Sequence, residues 1–152
     1  ITGASITVAA SAAPAFSAYP SGSQSISSST NTKLALQSEL FDTNSNFDST
    51  TNYRFTPTVA GYYQFNGSFF MPVASTARVG ALIYKNGTET NSNYGTGNSI
   101  SGGQCQQVSA LMYANGSSDY FEFYVVQTGV GAASTNAGAA LTYFQAAMVR
   151  SA

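Results

Sequence analysis

The chain has 152 residues, enough for one domain, but only 7% of them are charged and the net charge is −1. Five scattered basic residues argue against a nucleic-acid partner, because binding to a phosphate backbone requires clustered positive charge. The absence of histidine and the single cysteine exclude histidine-activated nucleophiles, histidine or thiolate zinc sites and an intrachain disulfide, so we expect neither an enzyme nor a cofactor.

The sequence predicts short β-strands and no helix, and no apolar run reaches the roughly 18–20 residues that insert a helix into a membrane. We expect residues 1–13 to form a linker or the end of a stalk, and residues 14–152 to form one β domain. The candidate strands are 14–19, 33–41, 53–56, 61–71, 78–85, 88–93, 105–113, 119–128 and 140–150. The predicted loops are 21–31, 43–52, 94–103 and 129–138. Asn86-Gly87 and Asn115-Gly116 favour type I′ hairpin turns, and strands at this spacing indicate a sandwich or barrel.

The stretch over residues 55–65 is the most informative part of the chain. Gly61 follows a turn marked by proline, and we expect it to take a positive φ that other residues resist. Tyr63, Phe65 and Phe69 then fall on one face of a strand, because strand side chains alternate with a period of two. We expect that face to pack into the core.

Several predicted strands carry apolar residues on both faces. On strand 61–71 the second face holds Tyr62, Gln64, Asn66, Ser68 and Phe70. This mixture is too apolar for a simple solvent face and too polar for a second core. Aromatic residues mixed with amides are typical of a subunit interface, so the second face predicts an oligomer.

Five short motifs, in order along the chain, resemble the globular-domain family of complement component 1q, a jelly-roll group related to tumour necrosis factor. The central motif is Phe55, Gly61, Tyr63 and Phe65. The others are Ala15-Phe16-Ser17-Ala18, Tyr84-Lys85-Asn86-Gly87-Thr88, Asp119-Tyr-Phe-Glu-Phe123 and Phe144-Gln-Ala-Ala-Met148. The chain departs from the family at Ser118 and Ala146, where the family has glycine, and in the extra turn at residues 115–118.

The resemblance implies an all-β, antiparallel jelly-roll sandwich of about ten strands that forms a homotrimer. In that family the inner sheet faces the threefold axis, which places Tyr62, Phe70, Leu141 and Tyr143 at the axis or against a neighbouring subunit. Domains of this kind also cap bacteriophage fibres, and the low charge fits that setting.

The sequence therefore favours a non-enzymatic trimeric head domain at the tip of a phage or viral fibre. Such a domain would bind a host-surface glycan or protein receptor, lock the fibre trimer, or do both, and would be located on the virion or outside cells. Two alternatives stay open: a purely structural trimerisation or decoration module, and a secreted signalling or recognition ligand of the complement-1q type.

Two sets of residues are weaker site candidates. Asp42, Asn44, Asn46 and Asp48 place oxygen atoms at alternating positions, as calcium loops do, although these residue types are also ordinary in turns. Tyr19, Tyr94 and Tyr113 are candidates for stacking on a sugar ring, although each is also suited to the core or an interface.

Overall fold

The computed structural model describes residues 13–74, 76–96, 98–100, 102–128 and 131–152, so the expected linker at 1–13 lies outside them except for Ala13. No described helix is long and apolar enough to cross a bilayer. The strands are β1 (Ala15–Tyr19), β2 (Ser25–Ile26), β3 (Thr32–Lys33), β4 (Ser38–Asp42), β5 (Phe47–Asp48), β6 (Arg54–Phe55), β7 (Gly61–Met71), β8 (Arg78–Lys85), β9 (Thr88–Gly95), β10 (Asn98–Ile100), β11 (Gly103–Ala114), β12 (Phe121–Thr128), β13 (Ala133–Ser134) and β14 (Tyr143–Ser151).

These strands form two main antiparallel sheets. The first sheet has the order β10-β11-β7-β14-β1-β4. The second has the order β5-β6-β12-β8-β9, with β3 beside β12, and β13 pairs with β2 in a small separate ribbon. Successive strands such as β7 and β8, or β11 and β12, belong to different sheets, which is the crossing pattern of a jelly roll. The predicted fold class is confirmed.

The core lies between the inner faces of the two sheets and is mainly aromatic. Phe65 of the first sheet lies 4.4 Å from Phe121 of the second, and Phe16 lies 4.5 Å from Phe55, as ring centroids. The predicted inner face of β7 is confirmed, because Tyr63, Phe65, Phe69 and Met71 are fully buried. Aromatic side chains bury large apolar areas, so these contacts across the sandwich dominate its stability.

Gly61 is required for a different reason from the one that the sequence suggested. Its φ is not positive, so the predicted left-handed conformation is wrong. A Cβ atom at this position would instead lie 2.5 Å from the carbonyl oxygen of Arg150, on the neighbouring strand β14. The missing side chain therefore allows β14 to approach the start of β7.

The two Asn-Gly pairs form different turns. Asn86 and Gly87 have φ values of 54° and 77°, and they join β8 to β9 in the predicted hairpin. The hairpin predicted at Asn115-Gly116 is wrong, because β11 and β12 lie in different sheets. There the Asn115 Oδ1 atom accepts the N–H groups of Ser117, Ser118 and Asp119 at 2.9–3.0 Å and shapes a wider connection.

Several predicted segments have different bounds. The predicted loops 21–31, 43–52 and 129–138 contain the short strands β2, β5 and β13, and the strand expected over 140–150 begins at Tyr143, so Leu141 precedes it. The strand expected over 33–41 divides into β3, in the second sheet, and β4, in the first. Leu34 and Leu36 are fully buried between them, so their alternation reflects a core-lining connection and not a continuous strand. The loop expected over 94–103 contains the end of β9 and the whole of β10.

Candidate subunit interface

Exposed apolar side chains concentrate on the first sheet. Of the eight large hydrophobic side chains that are exposed in the described part of the chain, six lie on strands β4, β7, β11 and β14. They are Leu40, Phe41, Tyr62, Leu111, Tyr113 and Val149. Leu111 is 59% exposed and Val149 57%, although both are residues that folding normally buries.

The register of the strands brings several of these side chains together. Tyr62 on β7 lies directly opposite Tyr113 on β11, with ring centroids 5.5 Å apart. Val149 sits where a bulge interrupts the pairing of β14 with β7. Tyr62, Leu111 and Val149 line a shallow depression of about 550 Å³ together with the last residues of the chain. The outer face of the first sheet is the one that points away from the core, and we call this region the apolar end of that outer face.

The middle of the same outer face is made of amides and hydroxyls. Gln64 donates from Nε2 to the Ser109 hydroxyl at 2.8 Å, and that hydroxyl donates to Asn66 Oδ1 at 3.0 Å. Gln145 on β14 lies opposite Asn66, and its Oε1 atom is 3.5 Å from the Ser17 hydroxyl. The face thus changes from apolar to polar along its strands without a charged side chain in this middle part.

The four predicted interface residues differ in how much surface they offer. Tyr62 and Leu141 are 42% and 37% exposed, and Tyr143 is half-buried. Phe70 is only 8% exposed, because its ring packs against the backbone at Gly103. The prediction for Phe70 is therefore corrected: its own chain covers it and leaves little area for a partner.

Sequence reasoning missed Leu111, which is more exposed than any of the four. The signal was present in β11, where Ala110 and Met112 point inward and are buried while Leu111 and Tyr113 alternate with them. Tyr113, predicted as a sugar-stacking residue, lies against Tyr62 at the apolar end.

The outer face of the second sheet differs because its polar and aromatic side chains are paired within the chain. Lys33 and Glu122 form an ion pair at 2.9 Å, and the Tyr84 and Tyr124 rings stack at 4.0 Å. These contacts leave no comparable apolar surface among the described residues of that sheet.

Tyr94 and Tyr19 stay predictions as sugar-stacking residues, and contacts within the chain cover part of the Tyr94 ring, which is 36% exposed. The Tyr94 ring lies over Gly80, where a Cβ atom would be 2.6 Å away, and the Arg78 guanidinium lies 5.0 Å from its centroid. Its hydroxyl is 3.2 Å from both oxygens of Glu89, and burial together with that carboxylate raises the pKa of Tyr94. Tyr19 is half-buried at the end of β1.

The candidate calcium residues use their oxygen atoms within the chain. Asp42 accepts the Phe47 N–H at 2.7 Å, Asn44 Oδ1 accepts the Thr43 hydroxyl at 2.8 Å, and Asn46 accepts the Thr58 N–H at 3.2 Å. Asp48 accepts N–H groups of the turn that follows it, and those from Thr51 and Thr50 hold its pKa well below the usual range. Among the described residues, no three His, Cys, Asp or Glu side chains gather as metal ligands would.

No protein-family model and no curated protein matches the sequence. Solved structures match at low identity. The vertex protein P5 of PRD1 aligns with a TM-score of 0.66 and 17% identity, over 90% of this chain and 96% of that one. Eiger TNF from S. frugiperda gives 0.64 and 11%, over 92% and 93%. The globular domain of zebrafish complement 1qA gives 0.58 and 14%, over 91% and 98%. The chain therefore has the jelly-roll fold that these tumour necrosis factor-like and complement-1q-like domains share.

Proposed function

We propose that this chain is a non-enzymatic head domain of a trimeric phage or viral fibre, held together through the outer face of its first sheet. The observation that carries the proposal is the group of six exposed apolar side chains on one sheet, among them Leu111 and Tyr62. Four of the six, Tyr62, Leu111, Tyr113 and Val149, lie together at the apolar end. Exposed apolar side chains gathered on a protein surface mark sites of association.

Burial of this surface in a subunit contact would favour association, because apolar area would leave water. Covering one large apolar side chain contributes about 1.5–3 kcal/mol. Three copies related by a threefold axis form a closed ring, in which every subunit covers and is covered by a neighbour. Tyr62, Leu141 and Tyr143 are the predicted residues that keep surface for this contact.

The similarity to a vertex protein supports a place on the virion, where head domains meet host-surface ligands. The low charge of the chain agrees with that setting. Three equal sites on one rigid body would raise weak binding to useful avidity without new contacts. A purely structural module would also form the trimer but would bind no ligand. A secreted ligand of the complement-1q type would form the trimer and would also bind a partner.

The trimer is tested by light scattering on the purified domain at micromolar concentration. We expect three times the 15.8 kDa mass of one chain. Tyr62→Asp and Tyr143→Asp place a charge in the contact and should give folded monomers. Ser23→Asp adds the same charge at an exposed loop position and should leave the trimer intact. A monomeric wild-type domain, or trimers in both interface variants, would remove the physical basis of the proposal.

A further inference from the structure

We infer that the threefold axis of the trimer passes through the polar middle of the first sheet's outer face, where amide side chains hydrogen-bond to their own copies in the other two subunits. The inference rests on the proposed trimer and deepens it, because it names the part of the contact that fixes how the subunits align. The residues that carry it form one row across strands β11, β7, β14 and β1, namely Ser109, Asn66, Gln145 and Ser17. We call these four residues the polar row.

The polar row keeps hydrogen-bonding capacity that the described part of its own chain does not use. Ser109 donates to Asn66 Oδ1 at 3.0 Å, and Gln145 Oε1 lies 3.5 Å from the Ser17 hydroxyl. Both contacts use the carbonyl oxygen of an amide, and neither Asn66 Nδ2 nor Gln145 Nε2 donates to a described residue. Covering these groups without giving them partners costs free energy, so a subunit that packs on this face must supply acceptors and donors for them.

Threefold symmetry selects the kind of side chain that can lie on the axis. A residue on the axis meets two copies of itself, whereas a residue away from it meets different residues of the neighbouring subunit. An amide has both donors and an acceptor, so three copies can form a closed ring in which each amide donates to the next. Three carboxylates or three ammonium groups would repel one another instead. The polar row contains two amides, two hydroxyls and no charge, which is a composition that the axis favours.

The apolar end is the other candidate for the axis, and the charge beside it argues against that position. Arg150 is exposed and lines the same depression as Tyr62 and Leu111. An axis through that depression would bring three guanidinium groups together, and a guanidinium is always charged. We therefore place the apolar end away from the axis, where Leu111 packs against a different surface of the neighbouring subunit.

Charge complementation between subunits tests the position of the axis. Gln145→Glu and Gln145→Lys should each be folded monomers at pH 7, because three like charges would meet in the trimer. An equal mixture of the two variants should recover trimers of three times the 15.8 kDa chain mass, since each mixed trimer has two opposite-charge contacts for one like-charge contact. With one variant labelled with ¹⁵N, native mass spectrometry should show trimers that contain both variants and none that contain only one. Asn66→Asp and Asn66→Lys should behave in the same way, so the test does not depend on a single position.

Leu111→Glu and Leu111→Lys are the matched control at the apolar end. Each should also be monomeric, but their mixture should stay monomeric, because Leu111 does not meet its own copies. The inference would be overturned if the charged variants of Gln145 and Asn66 formed trimers by themselves, or if their mixtures stayed monomeric. Recovery of trimers by the Leu111 mixture would place the axis at the apolar end and would overturn it as well. In all these cases a trimeric wild-type domain leaves the proposed function standing, whereas a monomeric wild-type domain would contradict the proposed trimer itself.

Discussion

The buried hydroxyl of Tyr63 donates a hydrogen bond to the backbone carbonyl of Val59, 2.7 Å away. Tyr63 is the second residue after Gly61, and its ring lies fully inside the sandwich. The bond therefore ties the turn before β7 to the core. Burial raises the pKa of Tyr63 to about 12, because the tyrosinate anion would lose its hydration.

Tyr63→Phe removes this hydrogen bond and should reduce the free energy of unfolding at pH 7 by about 0.5–1.5 kcal/mol. The variant should also lose less stability than the wild type as the pH rises above neutrality. A pKa raised in the folded state gives stability that is fully present below the ordinary value of about 10 and disappears as the pH rises to about 12. Tyr94 and Tyr124 also have raised pKa values, so the alkaline loss should become smaller without vanishing.

Urea unfolding at several pH values between neutrality and strong alkali measures both effects. Tyr19→Phe is the matched control at pH 7, since that hydroxyl makes no hydrogen bond with other described residues. The hydrogen bond from Tyr63 to the Val59 carbonyl would be contradicted if Tyr63→Phe were as stable as Tyr19→Phe at pH 7 and lost as much stability as the wild type when the pH rises.

Gly61→Ala should destabilise the domain by about 1–3 kcal/mol, because the new Cβ would meet backbone that cannot turn away. The Arg150 carbonyl oxygen would lie 2.5 Å from it, and moving that oxygen would disturb the pairing of β14 with β7. Gly22→Ala is the control, since no atom lies within 4 Å of its Cβ position. Thermal unfolding of both variants compares them, and equal midpoints would contradict the close approach of the two strands.

Phe65→Ala should cost about 3–5 kcal/mol, because it removes buried surface and leaves a cavity. The Phe65 ring lies 4.4 Å from Phe121 and 5.8 Å from Phe144, so it links the two sheets and two strands of the first sheet. Phe65→Leu keeps most of the volume and should cost less than half as much. Denaturant titration with a constant slope distinguishes lost stability from lost structure. A cost below about 1.5 kcal/mol for the alanine variant would mean that the core closes around the gap.

The sequence predicted features that depend on local periodicity. Alternation along residues 61–71 was enough to assign Tyr63 and Phe65 to the core, since period-two alternation follows from strand geometry alone. It was not enough to place Leu111, because its neighbours Gln64 and Tyr62 come from a strand far away in the chain. Exposure at an interface depends on such register, which local patterns do not encode.

For features that depend on contacts between residues far apart in the chain, the sequence predicted the wrong physical cause or the wrong turn geometry. The need for glycine at position 61 was predicted, but the atom that excludes a side chain belongs to Arg150. Asn115-Gly116 carries a hairpin signal, yet β12 joins the second sheet and the side chain of Asn115 caps a wider turn instead.

Asp119 joins the two turns at one end of the sandwich. Its Oδ2 atom lies 2.9 Å from Lys85 Nζ and accepts the Asn115 N–H at 3.0 Å, while Oδ1 accepts from Asn86 Nδ2 at 2.8 Å. Burial alone would raise the pKa of Asp119, but the hydrogen bonds from Asn86, Lys85 and Asn115 outweigh it and hold the pKa below its usual range. The carboxylate therefore stabilises the folded state more than it stabilises the unfolded chain.

Asp119→Asn should lower the free energy of unfolding at pH 7 by about 1–3 kcal/mol, since it replaces an acceptor of three donors by an amide and leaves Lys85 without its counter-charge. A pKa lowered in the folded state gives stability that is present above the ordinary value of about 4 and is lost as the pH falls through the lowered pKa. The difference between wild type and variant should therefore be constant near neutrality and narrow in acid. Glu39→Gln, which neutralises an exposed carboxylate, should show neither effect. If the difference in free energy of unfolding between wild type and Asp119→Asn stays the same from neutral to acidic pH, the lost stability comes from packing and not from the charge of Asp119.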